Sequence, residues 1–472
     1  MTVDCARFPA FALLLLAACS AGDKATREPV GSGGSGGTIG LGSTGGGSPI
    51  NTGAGGTLTT ACGPGGTKTT VSGTVYDPAG KVPLYNVVLY VPLTSELPPI
   101  SEGASCEACA GRTAKAAAVA LSDSSGRFVL EDVPDGQNIP LVIEIGRWRR
   151  QVTIPTVKGC QDNKLDDPNL TRLPRNSTEG HIPKIAVSTG HSDALECLLR
   201  KIGIDEKEFA TPAAGAGRVH MFRGCIDSKG VQYPASSFAP NLNGGATFPT
   251  TNELFASGLD PYDMVVFSCE GHKCTDIQTS ENIVKLNAYE DKGGRVFLDH
   301  VHYNWLNHAD APIESAAQFS SGSDPMTPRP TQIDQSFPKG KAFAEWLLAV
   351  KASKALGNLD IVQAQNSCTG VTDGLAQRWI YSDSPTGNFY VTINTPVPKE
   401  GMQLDACGRV VFTDLHVSGA VMDFSHEDTP FPGGCVSTEI SPQEKALEFM
   451  LFDLSSCVQK ETLAPEPPDI AK

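Results

Sequence analysis

The stretch from Tyr262 to Trp305 reads YDMVVFSCEGHKCTDIQTSENIVKLNAYEDKGGRVFLDHVHYNW, and it decides the fold of the larger part of the chain. It begins with an apolar strand over 262–268 and continues with a helix over 283–291 that a Gly-Gly pair ends. It then enters a second apolar strand over 295–299. This order is typical of a parallel sheet covered by helices, in which ligands bind beyond the carboxyl ends of the strands.

The same alternation continues on both sides of this stretch. Upstream we predict a strand beginning at Ile185, a helix over 193–202 and a strand over 219–222. Downstream we predict a helix over 340–350, strands over 359–363, 377–381, 389–394, 408–412 and 417–422, and an apolar helix from the capping box at Ser441 to Leu454. The sequence therefore predicts a Rossmann-like or flavodoxin-like α/β domain over 180–457. Its disulfide-stapled C-terminal extension packs back on the sheet, with Trp346 and Trp379 in the core.

The segment over 184–305 resembles the class I glutamine amidotransferase-like superfamily, including its ThuA-like branch. The shared order is apolar strand, small-residue loop, helix, Gly-Gly, strand and active-site turn. The resemblance implies a nucleophilic cysteine at that turn, but here the chain reads Leu298-Asp-His-Val-His302. We therefore do not expect amidotransferase chemistry. An alternative interpretation makes Ser268-Cys-Glu-Gly271 a nucleophile elbow, although its first glycine is missing and Cys274 offers a disulfide partner.

Histidines and carboxylates near the predicted strand ends are the candidate functional residues. His300 and His302 are two residues apart, and His416 and His426 lie near aspartates further along the chain. Imidazoles and carboxylates together can bind zinc or another divalent metal with one open position, which suits hydrolysis. The alternative is that these are structural histidines lining a cleft. The predicted functional pocket contains Asp299, His300, His302 and Glu270, and the candidate metal ligands are His300, His302 and His416.

A smaller β-rich region comes before the α/β domain. Short strands between Thr69 and Ile154 alternate with turns such as Asp77-Pro-Ala-Gly80, which is typical of a β-sandwich. The motifs VSGTVYDPAGKVPLYNVVLYVP (71–92) and SDSSGRFVLEDVPDG (122–136) resemble the carboxypeptidase regulatory-like, or transthyretin-like, domain. The resemblance covers 67–165 and implies a spacer or binding platform with no peptidase activity.

The N-terminus predicts export and lipid anchoring. An apolar run over 8–18 ends in Leu16-Ala-Ala-Cys19, which resembles the lipobox of bacterial lipoproteins. We therefore predict a signal peptide over 1–18 and palmitate-type acylation at Cys19, with Ser20 favouring the outer membrane. Residues 19–66 form a Gly/Ser-rich linker, and roughly 35 such residues reach on the order of 30 Å. The predicted location is the cell envelope, facing the periplasm or the cell surface.

The order of tether, transthyretin-like module, α/β domain and Cys-rich C-terminus is also similar to that of myxobacterial lipoproteins. A tail over 458–472 is predicted to be disordered.

Charge and cysteine content narrow the function further. The net charge is −15 and there is no Lys/Arg cluster, so the electrostatic footprint of nucleic-acid binding is missing.

Of 14 cysteines, removal of Cys5 and Cys19 leaves twelve, an even number that predicts disulfides in an exported chain. Pairing between neighbours would give Cys62/Cys160, Cys106/Cys109, Cys197/Cys225, Cys269/Cys274, Cys368/Cys407 and Cys435/Cys457.

Two functions are consistent with these observations. The first is a membrane-anchored surface or periplasmic protein with a binding or structural function, no catalysis and no cofactor, whose partner is a protein or a glycan. The missing nucleophile and the transthyretin-like module favour it. The alternative is a metal-dependent hydrolase, with zinc as its cofactor, acting on carbohydrate or peptide through a cleft at Asp299, His300 and His302.

Overall fold

The computed structural model describes most of the chain from Cys62 to residue 468. The described ranges are 62–63, 65–94, 96–106, 115–190, 192–225, 236–309, 312–321, 329–384, 386–398, 405–417, 429–435 and 439–468. The predicted signal peptide, the lipidation site Cys19 and most of the predicted linker lie outside these ranges. So do Cys109, His426, all but the first residue of the predicted strand over 417–422, and residues 469–472.

Two small sheets form the β region, which we define as residues 70–181. Its elements are β1 (Thr70–Thr74), β2 (Val88–Pro92), β3 (Ala116–Leu121), β4 (Arg127–Glu131), β5 (Gly136–Ile145), β6 (Trp148–Val157), β7 (Asp162–Leu165), α1 (Pro168–Thr171) and β8 (Gly180–His181). The strand orders are β4-β1-β7 and β3-β2-β5-β6-β8. In β4, Phe128 and Leu130 are buried while the alternate residues are exposed, as the period of two in a strand requires. Side chains of both sheets enter one apolar core.

The end of the β region differs from the predicted boundary at residue 165. Strand β8 pairs with β6, and Tyr76 forms a bridge with Arg172. Residues 166–181 therefore pack against residues 70–165 before the chain enters the next sheet. These contacts join residues far apart in sequence, so composition alone gives no sign of them.

The remaining elements build a central sheet and its covering helices. They are β9 (Ile185–Thr189), α2 (Leu195–Lys201), β10 (Phe209–Ala210), β11 (Val219–Arg223), α3 (Thr251–Ser257), β12 (Met264–Phe267), α4 (Ser280–Asp291), β13 (Arg295–Asp299), α5 (Tyr303–Asn307), β14 (Ala317–Phe319), β15 (Arg329–Ile333), α6 (Pro338–Ala349), β16 (Asn358–Ile361), β17 (Cys368–Val371), β18 (Ala376–Asp383), β19 (Thr386–Thr395), β20 (Gly408–Thr413) and α7 (Pro442–Ser455). The molecule is thus a mixed β and α/β protein with several sheets.

The central sheet has a parallel half and an antiparallel half. Within the described residues its order is β10-β11-β9-β12-β13-β20-β19-β18-β15-β16, with β14 and β17 paired beside this path. The first six strands run parallel. Every residue of β9 and β12 is buried, as expected for parallel strands covered on both faces. The short turn between β18 and β19 makes that pair antiparallel, so the parallel sheet predicted from sequence is only half of the observed one.

Helix α7 joins the C-terminal region to the rest of the fold. It begins with the predicted capping box, in which Ser441 accepts a hydrogen bond from the Glu444 N–H. Phe449 stacks on Tyr85 with ring centroids 6.0 Å apart, and Phe452 packs on Trp148 at 5.6 Å. The helix also contacts β13, β20, β16 and α6, so it lies between the β region and the central sheet. The predicted core residues Trp346 and Trp379 are both fully buried.

A buried ion pair links the β region to the central sheet. Arg147, in the β5–β6 turn, contacts the carboxylate of Asp263, and both side chains are at most 10% exposed. Asp263 also accepts hydrogen bonds from the main-chain N–H groups of Gly103, at 2.7 Å, and Lys184, at 2.6 Å. The carboxylate therefore holds three separate segments together where the two regions meet.

Most of the disulfides differ from the neighbour pairing expected from sequence. The bonds between described residues are Cys62–Cys160, as expected, and Cys106–Cys407, Cys197–Cys435 and Cys225–Cys274, which were not. Cys457 is also disulfide-bonded, whereas Cys269 and Cys368 are buried free thiols. The pairing of neighbours fails because a disulfide needs α-carbons about 5 to 6 Å apart, and the fold brings distant segments to that distance.

Two further findings concern the predicted tail and membrane association. Glu461, in the tail expected to be disordered, contacts the buried guanidinium of Arg409 at 2.6 Å, so the described part of the tail is held by the central sheet. The longest described helix, α7, has 14 residues. None of the described helices combines the length and the apolar character that a bilayer span requires.

Candidate functional site

The strand order of the parallel half creates a crevice at its carboxyl ends. From β9 the chain continues to β11 on one side, and later to β12 on the other side. Such a reversal leaves a gap between the loops, and ligands of α/β proteins bind there. Asp193 follows β9, Cys269 and Glu270 follow β12, His300 follows β13, and His416 follows β20. The fold thus gathers at one place residues that are up to 223 positions apart.

Asp193, His300 and His416 form a buried group at this crevice that could hold a metal ion. The Asp193 Oδ2 lies 3.0 Å from His300 Nδ1 and 3.1 Å from His416 Nδ1. Its other oxygen accepts the Val417 N–H at 2.6 Å, which fixes the carboxylate. Ligand atoms around a tetrahedral zinc ion, with bonds of about 2.0 to 2.1 Å, are about 3.3 Å apart. The two distances from Asp193 Oδ2 are close to this spacing, and one ligand atom from each of the three residues lies within 4.8 Å of the others, so the group can hold a zinc ion.

The hydrogen bond at His300 Nε2 determines which ring nitrogen faces Asp193. It places a lone pair opposite the carboxylate, so a positive charge is needed between the two groups. His300 Nε2 lies 2.7 Å from the carbonyl oxygen of Asp414, and a carbonyl only accepts, so Nε2 carries a hydrogen. In a neutral imidazole, Nδ1 then presents a lone pair to the carboxylate 3.0 Å away, which is repulsive. Either a second proton on His300 or a metal ion removes this repulsion.

Two carboxyl groups next to His300 have opposite pKa shifts. Burial by itself raises the pKa of Asp193, but the charges of His300 and His416 outweigh burial and lower that pKa to about 2. Burial, together with the charge and a hydrogen bond of Asp193, raises the pKa of Asp299 well above its usual value. Asp193 is therefore ionised near neutral pH, whereas its environment disfavours the charged form of Asp299. Asp299, predicted from sequence as a pocket residue, has its carboxyl oxygen 3.3 Å from His300 Nδ1 and therefore contacts the group.

His302 and Glu270, also predicted as pocket residues, form a separate pair. His302 Nε2 lies 2.8 Å from the Glu270 carboxylate and 3.0 Å from the Ser268 carbonyl oxygen. The indole N–H of Trp305 donates to His302 Nδ1 at 3.1 Å. Because both ring nitrogens have partners, His302 has no lone pair left for a metal, and its contacts hold the turn after β13.

The turn after β13 explains why the two histidines separate. His300 has a φ of 42°, in the left-handed region that costs a non-glycine residue about 1 kcal/mol or more. Residues 300–302 then form a short 3₁₀ helix in place of further strand. The rings of His300 and His302 consequently do not share a face, as they would on an extended strand. The turn directs the His300 imidazole toward Asp193, at the position where the resemblance implies a cysteine.

The alternative interpretation of Cys269 as a nucleophile does not fit the structure. Its φ is not positive, whereas a nucleophile elbow needs a strained turn. Burial, with the charges of Asp193 and Asp299, raises the pKa of the Cys269 thiol well above its usual value. A nucleophilic cysteine requires the opposite shift, because the thiolate is the reactive form.

An open cleft of ≈ 450 Å³ lies above the buried group. His300 and His416 line its floor, and Lys273, Gln363 and Gln365 are among the residues on its walls. Ammonium and amide groups of this kind donate hydrogen bonds to a bound ligand. The group is thus placed where a molecule in the cleft can reach it.

His300 and His416 were predicted from sequence as candidate site residues, but Asp193 was not. Asp193 follows a buried strand, β9, that ends in small residues, and it lies at the crevice only because β12 returns beside β9. The position of an aspartate four residues after the end of the first strand was the signal that could have found it. The periodic patterns of apolar residues that identify helices and strands are local, so they carry no information about such a contact.

A buried carboxyl group next to the site gives a testable pH dependence. Burial, with the charge of Asp193 added to it, raises the pKa of Glu196 on α2 to about 8. In the unfolded state the pKa of this carboxyl group is about 4.3, so between about pH 4.3 and pH 8 the folded state binds the proton more tightly. The resulting contribution to stability is fully present below about pH 4.3 and is lost as the pH rises toward 8. We expect Glu196→Gln to gain stability relative to wild type by on the order of 1 kcal/mol per pH unit across this window.

Urea unfolding at three pH values between 5 and 8, with the disulfides intact, measures this difference. Glu206→Gln is the matched control, because the Glu206 side chain is 46% exposed. A constant difference between Glu196→Gln and wild type from pH 5 to pH 8 contradicts the assignment.

Comparison with known proteins gives no family for this chain. No family model matches it, and no curated protein does either. A complex of type II cohesin with an X-dockerin from Acetivibrio cellulolyticus aligns at 17% identity over 30% of this chain and 75% of that chain, with a TM-score of 0.15. An exo-β-1,4-mannosidase, Op5Man5 from Opitutaceae bacterium strain TAV5, aligns at 9% identity over 59% of this chain and 36% of that chain, with a TM-score of 0.24. Similarity at this level carries no argument about fold or function, so the function has to be inferred from the side chains of the cleft.

Proposed function

We propose that this protein is an exported, lipid-anchored hydrolase that binds zinc through Asp193, His300 and His416. The observation that carries the proposal is the approach of His300 Nδ1 and His416 Nδ1 to one Asp193 oxygen, at 3.0 and 3.1 Å, beneath an open cleft. This set of ligands replaces the one expected from sequence, in which His302 took the place of Asp193. The substrate class is a carbohydrate or a peptide.

Each part of the group has a function in this proposal. Zinc with three protein ligands keeps one open position and lowers the pKa of a water bound there to about 7. Asp193 supplies the negative charge, and the Val417 N–H fixes its orientation. The Asp414 carbonyl oxygen orients His300 by accepting its Nε2–H, an arrangement typical of metal-binding histidines. Lys273 and the glutamines of the cleft wall position the substrate.

The cellular setting of the proposal comes from the sequence. The lipobox-like Leu16-Ala-Ala-Cys19 and the linker support a tethered envelope protein. The resemblance of the β region to transthyretin-like modules supports its use as a spacer or platform beside the α/β domain. The disulfides between described residues fit an oxidising compartment.

A non-catalytic binding protein is the second candidate. The observation that favours it is the complete burial of Asp193, His300 and Asp299. A metal ion held so deeply could fix the ends of β9, β13 and β20 and leave the cleft to bind a protein or glycan partner.

Metal analysis of the purified full chain tests the proposal. We expect one zinc per chain, lost in His300→Ala and retained in His302→Ala, which is the matched control because His302 contacts Glu270 and lies outside the group. Wild-type protein that takes up no zinc after incubation with it contradicts the metal site. Zinc-loaded protein that hydrolyses none of a panel of glycosides, esters and peptides contradicts the hydrolase and leaves the binding protein.

A further inference from the structure

A second cluster of ligand-type side chains lies at the rim of the same cleft. It consists of Cys225, directly after β11, and His272 and Cys274, in the loop after β12. One ligand atom from each residue lies within 4.8 Å of the others. Cys225 and Cys274 are almost fully buried, while His272 is partly exposed and lines the cleft.

The ring of His272 is oriented toward the sulfur atoms. Its Nδ1 lies 3.1 Å from the main-chain oxygen of Glu270. Because a carbonyl oxygen only accepts, Nδ1 carries the hydrogen and Nε2 presents its lone pair. Nε2 lies 3.4 Å from Cys225 Sγ. A histidine whose far nitrogen donates to a carbonyl while the near one faces other ligands is the usual arrangement at metal sites.

The two sulfur atoms cannot bind a metal in the oxidised form, because Cys225 and Cys274 are joined by a disulfide. Metal ligation needs thiolates. We propose that reduction of the Cys225–Cys274 disulfide opens a zinc site at the cleft rim, made of two thiolates and the His272 imidazole.

The chemistry of this opening balances with a dithiol as reductant. Two electrons and two protons pass from the dithiol to the Cys225–Cys274 bond, which breaks to give two thiols, while the dithiol forms its own S–S bond. Zinc binding then releases the two thiol protons to solvent. Two sulfur ligands and one nitrogen ligand select zinc over calcium or magnesium, and they leave a fourth position for water or a ligand in the cleft.

This site does not depend on the Asp193 group. The two clusters share no residue, and their ligand types differ, since one has only nitrogen and oxygen ligands and the other contains two sulfurs. Cobalt distinguishes them, because only thiolate ligands give a sulfur-to-cobalt charge-transfer absorption. A failure at one site is therefore visible separately from a failure at the other.

Cobalt titration of the full chain, with and without prior reduction, tests the proposal. We expect the charge-transfer band in reduced wild type, no band in oxidised wild type, and no band in reduced Cys225→Ser/Cys274→Ser. His272→Gln is expected to weaken cobalt binding at least about 10-fold while leaving the band detectable at high cobalt. Asp193→Asn is expected to keep the band.

Matched controls are Cys269→Ser and Cys368→Ser, which remove thiols that are already free. Both are expected to retain the band after reduction. A band that persists in the double serine variant would come from another reduced disulfide and would overturn the proposal. Reduced wild type without a band would overturn it as well.

Discussion

Asp263→Ala is expected to lower the free energy of unfolding by about 3 to 5 kcal/mol, because it removes the only negative charge that the ion pair sets against the buried Arg147 guanidinium. The guanidinium keeps hydrogen bonds to neutral groups, the Gly103 carbonyl oxygen and Ser105 Oγ. The Arg147 side chain is 10% exposed and that of Asp263 is 3% exposed, so the pair is largely shielded from solvent. The main-chain N–H groups of Gly103 and Lys184 also lose their acceptor. Urea unfolding with intact disulfides, followed by circular dichroism, measures the loss.

Asp260→Ala is the matched control for this prediction. Asp260 lies three residues away and pairs with Lys292, but the two side chains are 58% and 56% exposed, so we expect a change of about 1 kcal/mol or less. Adding Arg147→Met to Asp263→Ala is expected to recover part of the loss, since it removes the buried guanidinium charge that has lost its carboxylate. Equal effects of Asp263→Ala and Asp260→Ala would show that the contact between the two regions is not desolvated in solution.

Asp193→Asn is expected to weaken zinc binding by at least about 100-fold, because the amide removes the negative charge that both His300 and His416 face. The substitution keeps the size of the side chain. Zinc at 100 times its Kd stabilises a folded protein by about 2.7 kcal/mol, so wild type should show a clear rise in Tm on adding zinc. The variant at the same zinc concentration should show almost none.

Glu270→Gln is the control for Asp193→Asn. Glu270 is also a buried carboxylate beside an imidazole, 2.8 Å from His302 Nε2, but it lies outside the proposed ligand group. We expect it to bind zinc as wild type does, measured by competition with a chromophoric chelator. Zinc affinity that falls equally in both variants would point to a general loss of structure at the crevice and not to ligation by Asp193.

The regular elements could be predicted from sequence where the local pattern was strong. Strand β13 has the predicted bounds, since its apolar run is complete within five residues. Helix α7 begins at the predicted capping box. Two of the three residues in the buried group, His300 and His416, were also selected, because histidines near predicted strand ends are few in this chain.

The antiparallel half of the central sheet, the disulfides other than Cys62–Cys160, and the contacts of Asp193 with His300 and His416 could not be predicted from sequence. Each depends on which segments lie side by side after folding. Cys197 and Cys435 are 238 residues apart, and Asp193 and His416 are 223 apart. Neither secondary-structure propensity nor composition shows which residues so far apart in the sequence come into contact.

The sequence by itself determined the strand–helix–strand order around the Gly-Gly pair, the β-rich start of the folded chain, the acidic charge and the supply of cysteines and histidines. These are local properties, set by side-chain periodicity and by turn chemistry within a few residues. Only the tertiary structure decided that β12 returns beside β9. That pairing, together with β13 on the other side of β12, brings Asp193 within 3.0 Å of His300, because the carboxyl ends of parallel strands lie at one edge of the sheet.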